Sequence, residues 1–253
     1  IEMVGGRAVQ ATLRFPDYRP DWDEVRRLIT PRTRMILINS PHNPTGSLLE
    51  RADLDELAAL LRDTGIVVLS DEVYEHIVFD AEHAGVAAHP ELRERSIVVS
   101  SFGKTYHITG WKIGYVVAPA ALMREFRKVH QFNVFTVHAP SQLALAEYMT
   151  DASRHAGLAA FYREKRDYFR DLLAGTPFEP LACRGTYFQL ARYGAISDLP
   201  DREFAAWLTR EVGVAVIPVS VFYPDGRDDK VVRFCFAKQT ATLDAAAERL
   251  RRL

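Results

Sequence analysis

The chain has 253 residues, of which 48% are hydrophobic and 26% are charged, a composition typical of a globular protein with an ample core. Lysine and arginine number 32 against 33 aspartate and glutamate, and the formal charge of -1 excludes a general electrostatic attraction to nucleic acid or to an anionic membrane. No apolar run is long enough to cross a bilayer and no charged-then-apolar leader opens the chain, so we expect a cytoplasmic protein without membrane contact.

The cysteine and histidine patterns predict no metal site. Cys183 and Cys235 are far apart and form no CxxC pair, which favours a reducing compartment. The eight histidines contain no HxxxH or HExxH pair, the spacing at which a helix binds zinc. We therefore expect the chemistry of the protein to come from other side chains.

Three short apolar runs predict neighbouring strands of a parallel sheet. The runs cover residues 35–38, 66–69 and 97–99, and each is continuous rather than alternating. Continuous runs are typical of strands that are covered on both faces. A fourth run at 113–118 follows the third too closely for a helical crossover, so we expect it to pair antiparallel and the sheet to be mixed.

The segment between the first two runs predicts a helix. Ser47 and Glu50 have the spacing of a capping box, and Gly65 is a candidate stop. Three leucines at helical spacing define one apolar face, namely Leu54, Leu57 and Leu61. The pattern predicts a strand, helix, strand crossover.

The pattern of the chain changes in its last third. A long helical pattern from residue 140 to 173 could carry the chain from one domain to another. The strand-like runs TYFQLARY, VAVIPVS and VVRFCFA then alternate with two helical segments, which indicates a smaller α+β unit. We predict an α/β protein with a large domain over residues 1–158 and a small C-terminal domain over residues 159–253.

Three polar clusters, HNPTG, SDEVY and SSFGK, each follow a predicted buried strand. Ligands of open α/β sheets bind outside the carboxyl ends of the strands, so we expect the clusters to share one concave site. Lys104 in the third cluster and Asp71 in the second suggest an imine-forming cofactor. A lysine amine bonds reversibly to an aldehyde, and a carboxylate can hold a ring nitrogen in its protonated form.

Each of these residues also has a structural explanation when it is taken alone. Most lysines near a strand end are solvated, which applies to Lys104 and to Lys112. Asn43 can begin a turn, Asp71 can cap the next segment, and Tyr74 can belong to the core. The prediction of a site depends on the arrival of these side chains at one edge of the sheet.

The motifs SPHNPTG, LSDEVYEHIVF and SSFGKTYHITGWKIGY, in this order, resemble those of the fold-type-I pyridoxal-phosphate enzymes, and specifically the class I/II aminotransferases. The resemblance extends over essentially the whole chain. It implies a mostly parallel mixed sheet with flanking helices, pyridoxal 5'-phosphate as cofactor, and a homodimer with sites between two subunits. GWK in place of the more usual GWR, with His107 after KTY, is similar to the branch that acts on methionine, aromatic amino acids and kynurenine.

The resemblance assigns roles to four of the polar residues. Lys104 is the Schiff-base lysine and the base that moves a proton between substrate and cofactor. Asp71 pairs with the pyridine nitrogen and keeps it protonated. Asn43 and Tyr74 hydrogen-bond the phenolic oxygen of the cofactor and tune the imine.

The resemblance also implies residues for the phosphate and the substrate. Ser101 and Lys112 match positions that hold the phosphate, and a lysine at 112 offers a point charge where the family usually has a two-pronged arginine. Arg233 in VVRFCFA matches the arginine that grips the substrate α-carboxylate, with a structural ion pair as the alternative. Phe222 and Tyr223 are further candidates for the side-chain pocket.

The expected activity is transfer of an amino group from an α-amino acid to an α-keto acid, with methionine, an aromatic amino acid or kynurenine as donor. Two alternatives stay open. A pyridoxal-phosphate carbon-sulfur lyase shares every residue named above, and some transcription regulators carry an aminotransferase-like domain. The resemblance further implies that a segment with a phosphate-binding loop precedes Ile1.

Overall fold

The computed structural model describes all 253 residues and contains eight strands and nine α-helices. The strands are β1 (Met35–Asn39), β2 (Val67–Asp71), β3 (Ser96–Ser101), β4 (Gly114–Val117), β5 (Glu179–Pro180), β6 (Phe188–Arg192), β7 (Ile217–Pro218) and β8 (Val231–Cys235). The helices are α1 (Trp22–Leu28), α2 (Arg51–Leu61), α3 (Phe102–Thr105), α4 (Ala120–Asn133), α5 (Ala139–Tyr148), α6 (Ser153–Ala156), α7 (Leu158–Ala174), α8 (Asp201–Trp207) and α9 (Thr240–Leu250). None of these helices combines the length and the apolar character that a bilayer crossing requires.

The first sheet has the order β1-β2-β3-β4 and confirms the predicted mixed topology. Strands β1, β2 and β3 are parallel, with Asn39 opposite Asp71 and Asp71 opposite Val99. Strand β4 pairs antiparallel with β3, and Ser101 lies opposite Gly114. The register therefore brings the ends of β1, β2 and β3 to one edge of the sheet, as the positions of the polar clusters predicted.

Helix α2 is the predicted crossover between β1 and β2. Its three leucines, Leu54, Leu57 and Leu61, are buried against Ile66, Val68 and Val98. The predicted cap and stop are wrong in detail. Glu50 is the N-cap, and Asp53 completes the capping box, because Asp53 Oδ2 accepts a hydrogen bond from the Glu50 N–H over 2.8 Å. Ser47 lies before the helix. The helix ends at Leu61, four residues before Gly65.

One face of the first sheet is covered by α2 and the other is largely open. On the open face, Met35 and Leu37 are 45% and 57% exposed, and Leu69 and Val99 are only half-buried. The expectation that these strands are covered on both faces is therefore wrong for this structure. The reason is that α2 packs against alternate residues only, which leaves the side chains of the other parity open to solvent.

The second sheet has the order β5-β6-β8-β7 and all its pairs are antiparallel. Strand β7 is shorter than the run VAVIPVS predicted, because Pro218 has no N–H to continue the ladder and lies on an edge strand. The large core beside this sheet is rich in aromatic rings, and Tyr193 stacks on Phe204 with centroids 3.8 Å apart.

The long helical pattern over residues 140–173 corresponds to three helices, α5, α6 and α7. Helix α5 ends at Tyr148, and Gly157 separates α6 from α7, so the predicted continuous element is divided. Helix α7 then runs into the second sheet through β5. The division of the chain into domains at residues 158 and 159 stays a prediction.

Candidate active site

Lys104 lies in a short helix at the end of β3. The Ser101 hydroxyl caps this helix by accepting a hydrogen bond from the Gly103 N–H over 3.0 Å. The half-buried Lys104 side chain places Nζ 5.9 Å from the centroid of the Tyr74 ring and 6.0 Å from that of Tyr187. The amine therefore reaches the space beside the segment that follows β2.

Asp71 ends β2, and Tyr74 lies in the turn that follows. Asp71 Oδ1 accepts a hydrogen bond from the Val73 N–H over 3.2 Å, which fixes the direction of the carboxylate. The buried Tyr74 ring meets Tyr187 edge to face with centroids 5.3 Å apart. Burial first, and then the neighbouring Tyr187, raise the pKa of the Tyr74 phenol well above its ordinary value, so the hydroxyl stays protonated.

The turn after β2 is tied to the two strands beside it through Glu75. Glu75 Oε1 accepts hydrogen bonds from Ser100 Oγ over 2.8 Å and from the Tyr115 hydroxyl over 2.5 Å. Burial and the bond to Glu75 raise the pKa of Tyr115 to about 12. These contacts hold the segment that carries Tyr74 against the ends of β3 and β4.

Asn43 lies in the loop after β1 and connects to both sheets. Its N–H donates to Asn39 Oδ1 over 2.9 Å, and Asn39 Nδ2 donates to the carbonyl oxygen of Asp71 over 2.9 Å. Its own Oδ1 accepts a hydrogen bond from Arg233 Nη1 over 2.6 Å. The HNPTG and SDEVY clusters are therefore joined through the Asn39 side chain, and the second sheet is joined to them through Arg233.

The same loop carries a histidine that is held neutral. His42 Nδ1 lies 2.8 Å from Thr45 Oγ1, and the His42 N–H donates to the carbonyl oxygen of Ser47 over 2.9 Å. Burial lowers the pKa of His42 to about 4. The ring therefore supports the loop beside Asn43 without adding a positive charge near neutral pH.

Arg233 projects from β8 toward the first sheet. Its guanidinium carbon lies 3.9 Å from the centroid of the Phe188 ring and 6.0 Å from that of Phe222. Its Nε is buried and has no hydrogen-bond partner. Burial lowers the pKa of Arg233, and no carboxylate of the chain forms a salt bridge with it. The alternative of a structural ion pair is therefore not realised.

The two phosphate candidates lie near each other, and no contact joins their side chains. Ser101 Oγ lies 3.4 Å from the carbonyl oxygen of Ile113, the residue after Lys112. Lys112 is exposed and has a φ of 57°, a left-handed conformation that is uncommon for residues other than glycine.

The candidates for the side-chain pocket separate in the structure. Phe222 is 45% exposed and lies on the Arg233 side. Tyr223 packs with Leu13 and Tyr18 in a different cluster, and its hydroxyl donates to the carbonyl oxygen of Leu13 over 3.1 Å. The expectation that Tyr223 lines the pocket is therefore not supported by its position.

The sequence reasoning missed three residues that complete this region: Asn39, Tyr187 and Phe188. Tyr187 lies directly before β6 and Phe188 is its first residue, and both rings contact Tyr74, although the run TYFQLARY predicts only a strand. Asn39 ends β1 in the way that Asp71 ends β2, and that equivalence is the signal that could have found it. The register with Asp71 follows from pairing that the sequence alone does not specify.

Comparison with known proteins places the chain in a family. The model of the family "Aminotransferase class I and II" matches residues 1–250. Methionine aminotransferase of Escherichia coli is 50% identical over 255 residues, an alignment that includes 100% of this chain and 66% of the relative. Kynurenine--oxoglutarate transaminase 1 of Mus musculus is 33% identical over 282 residues, with 98% of this chain and 66% of the relative covered. The chain thus spans just under two thirds of the length of these relatives.

Solved structures agree with this assignment. The crystal structure of an Escherichia coli methionine aminotransferase matches with a TM-score of 0.93 at 51% identity, covering 95% of this chain and 64% of that one. The N-succinyldiaminopimelate aminotransferase of Mycobacterium tuberculosis matches with a TM-score of 0.91 at 38% identity, covering 99% of this chain and 67% of that one. With fold type I, a lysine and an aspartate at the ends of adjacent strands, and a match over nearly its whole length, the chain belongs to the pyridoxal-phosphate-dependent class I and II aminotransferases.

Proposed function

We propose that the protein is an aminotransferase that moves the amino group of an α-amino acid to an α-keto acid. The observation that carries the proposal is the set of contacts that joins the three motifs. Lys104 Nζ lies beside the Tyr74 and Tyr187 rings, and Arg233 donates to Asn43. These contacts support a site in which an amine and a cation suited to carboxylate recognition lie around the Tyr74 and Tyr187 rings.

The residues around this region fit pyridoxal 5'-phosphate. The group supplies an aldehyde that bonds to amines and a ring that withdraws electrons from the substrate. Lys104 would bond to the aldehyde, Asp71 would accept a hydrogen bond from the ring nitrogen, and Asn43 and Tyr74 would contact the phenolic oxygen. Ser101 and the cationic Lys112 would hold the phosphate. A protonated Tyr74 and a carboxylate fixed by the Val73 N–H are suited to these tasks.

Lys104 is the group that we assign to proton transfer. Its Nζ, once it is a free amine, would take the proton from the substrate α-carbon and hold it for transfer to a nearby carbon. The neighbouring rings of Tyr74 and Tyr187 limit the access of water to the amine. A partly covered amine moves a proton between two nearby carbons more readily than one that water surrounds.

Arg233 is the group that we assign to the substrate carboxylate. Its buried Nε lacks a partner, and a carboxylate can accept from Nε and from a terminal nitrogen together. The Phe188 ring under the guanidinium keeps it in one orientation. Binding at Arg233 would hold the α-carbon of the amino acid within reach of Lys104 and exclude substrates without the carboxylate.

The relatives support methionine, an aromatic amino acid or kynurenine as the donor. Two relatives are named for methionine and for kynurenine, and Phe222 offers an apolar surface near Arg233 for a side chain of that kind. We further propose that the protein acts in the cytoplasm as a homodimer, without a nucleic-acid partner.

One assay tests the activity and its main alternative together. The protein is supplied with pyridoxal 5'-phosphate and each candidate amino acid, with and without an α-keto acid acceptor. An aminotransferase gives a new amino acid only when the acceptor is present. Cystathionine is supplied as well, and its cleavage to pyruvate, ammonia and homocysteine without an acceptor would instead identify a carbon-sulfur lyase. Lys104→Ala is the inactive control, and Lys128→Ala, on the exposed face of α4, is the matched active control.

A further inference from the structure

Asn39 uses both polar atoms of its side chain to connect two parts of the candidate site. Nδ2 donates to the carbonyl oxygen of Asp71 over 2.9 Å, and Oδ1 accepts from the N–H of Asn43 over 2.9 Å. Asn39 is the last residue of β1 and pairs in register with Asp71. It has no role in the assignments above, because its side-chain atoms face protein groups.

The position of Asn39 matters because the main-chain pairing ends there. The β1–β2 ladder stops at Asn39 and Asp71, and the carbonyl oxygen of Asp71 also accepts from the Ser40 N–H over 3.1 Å. Beyond this point the HNPTG loop leaves the sheet, and Asn43 is exposed. The Asn39 side chain therefore links the Asn43 N–H to the carbonyl oxygen at the end of β2.

Only an amide of this length performs both tasks. An aspartate at position 39 keeps the acceptor for the Asn43 N–H and loses the donor to Asp71, and its negative charge faces a carbonyl oxygen. An alanine loses both bonds. We propose that Asn39 is a positioning residue that sets the separation of Asn43 and Asp71, the two residues assigned to the phenolic oxygen and to the ring nitrogen of the cofactor. The cofactor part of this proposal rests on the proposed function.

Two measurements on the whole chain test it. The first is the affinity for pyridoxal 5'-phosphate, followed by absorbance, in Asn39→Ala, Asn39→Asp and the unmodified protein. The second is the hydrogen-exchange rate of the Asn43 backbone N–H, measured by nuclear magnetic resonance in the absence of cofactor. Asn133→Asp, at the exposed end of α4, is the matched control, and the thermal midpoint of every variant is recorded.

The two substitutions are expected to differ at a single amide. In Asn39→Ala the Asn43 N–H should exchange roughly 10-fold faster than in the unmodified protein, because one hydrogen bond is lost. In Asn39→Asp the exchange rate should stay within about 2-fold of that in the unmodified protein, because the acceptor is kept. Both variants bind the cofactor about 10-fold more weakly, because both lose the donor to Asp71. Asn133→Asp changes neither quantity.

The proposal would be overturned if the exchange rate of the Asn43 N–H in Asn39→Ala equalled that of the unmodified protein. It would also be overturned if Asn39→Ala and Asn39→Asp both bound the cofactor as tightly as Asn133→Asp does. A loss of affinity that merely follows the thermal midpoint would also count against it. If the unmodified chain binds no cofactor, the proposed function fails, and the exchange rates at Asn43 still decide whether Asn39 positions this loop. If Asn39→Ala does not fold, Asn39→Asp and Asn39→Ser provide the comparison.

Discussion

Arg233 donates a hydrogen bond from Nη1 to Asn43 Oδ1 over 2.6 Å, although the two residues are 190 positions apart in the chain. The bond links β8 of the second sheet to the loop after β1 of the first. Because the Nε of the same guanidinium is buried without a partner, this arginine is held in place and still has a donor to offer. A carboxylate that binds Arg233 would therefore contact the residue that connects the two sheets.

Replacing Arg233 separates substrate binding from cofactor binding. We expect Arg233→Ala to raise KM for the amino acid by about 30-fold or more, the cost of removing a charged bidentate contact, with cofactor affinity within about 3-fold. Arg192→Ala, an exposed arginine on β6, is the control and should change neither value. Equal losses in amino-acid and cofactor binding would argue against the carboxylate role.

Replacing Asp71 tests the role of a negative charge at the end of β2. Asp71→Asn keeps an oxygen that can accept from the Val73 N–H, so the turn should be retained while the charge is lost. We expect kcat to fall by roughly 100-fold to 1,000-fold with folding intact, as measured by turnover and circular dichroism. Asp198→Asn, at an exposed position, serves as the control. A variant that keeps the normal rate would remove Asp71 from the mechanism.

Much of the first sheet could be predicted because its signals are local. Apolar runs gave β1, β2 and β3, and leucine spacing gave the buried face of α2. The predicted N-cap of α2 was wrong because Ser47 and Glu50 are both possible N-caps, and only the backbone geometry decides between them. The open face at Met35 and Leu37 could not be predicted, because strand composition does not state which neighbours are present.

Burial of His42 predicts a pH dependence of folding stability. The pKa of the ring falls from its ordinary 6.5 to about 4 in the folded protein, so between these values the unfolded chain binds the proton that the folded chain excludes. The stabilisation is complete above pH 6.5 and is lost as the pH falls toward 4. Because His42 as a whole is only half-buried, we expect a loss of roughly 2 to 3 kcal/mol in the free energy of unfolding.

Urea unfolding at several pH values checks this expectation. His42→Asn should flatten the dependence between pH 6.5 and 4, and the exposed His138→Asn should leave it unchanged. If the slope is the same in the unmodified protein and in His42→Asn, the titrating group is elsewhere.

The core beneath the first sheet gives a stability prediction that is independent of the site. Leu57 is fully buried among the α2 leucines and Val68, whereas Leu143 is 72% exposed. Leu57→Ala should lower the free energy of unfolding by about 2 to 5 kcal/mol through lost contacts and a cavity. Leu143→Ala should change it by less than about 0.5 kcal/mol. Similar values for the two variants would contradict the packing described for α2.

The site was predictable only where a residue type itself suggests chemistry. Lys104, Asp71 and Arg233 carry charges that need an explanation near a buried strand, and the contacts bring Lys104 to Tyr74 and Arg233 to Asn43. Tyr187 and Asn39 have uncharged side chains that do not by themselves suggest a role in chemistry. Their contribution depends on pairing between distant segments, and a shift of one residue in register would turn each side chain to the other face.

The central claim is that Lys104 is the amine that bonds to the cofactor. The direct measurement is reduction of the protein with borohydride after incubation with pyridoxal 5'-phosphate, followed by peptide mapping by mass spectrometry. The account predicts that the reduced label is found on Lys104 and disappears in Lys104→Ala. A label on another lysine, such as Lys112, Lys128, Lys165, Lys230 or Lys238, with none on Lys104, would contradict it.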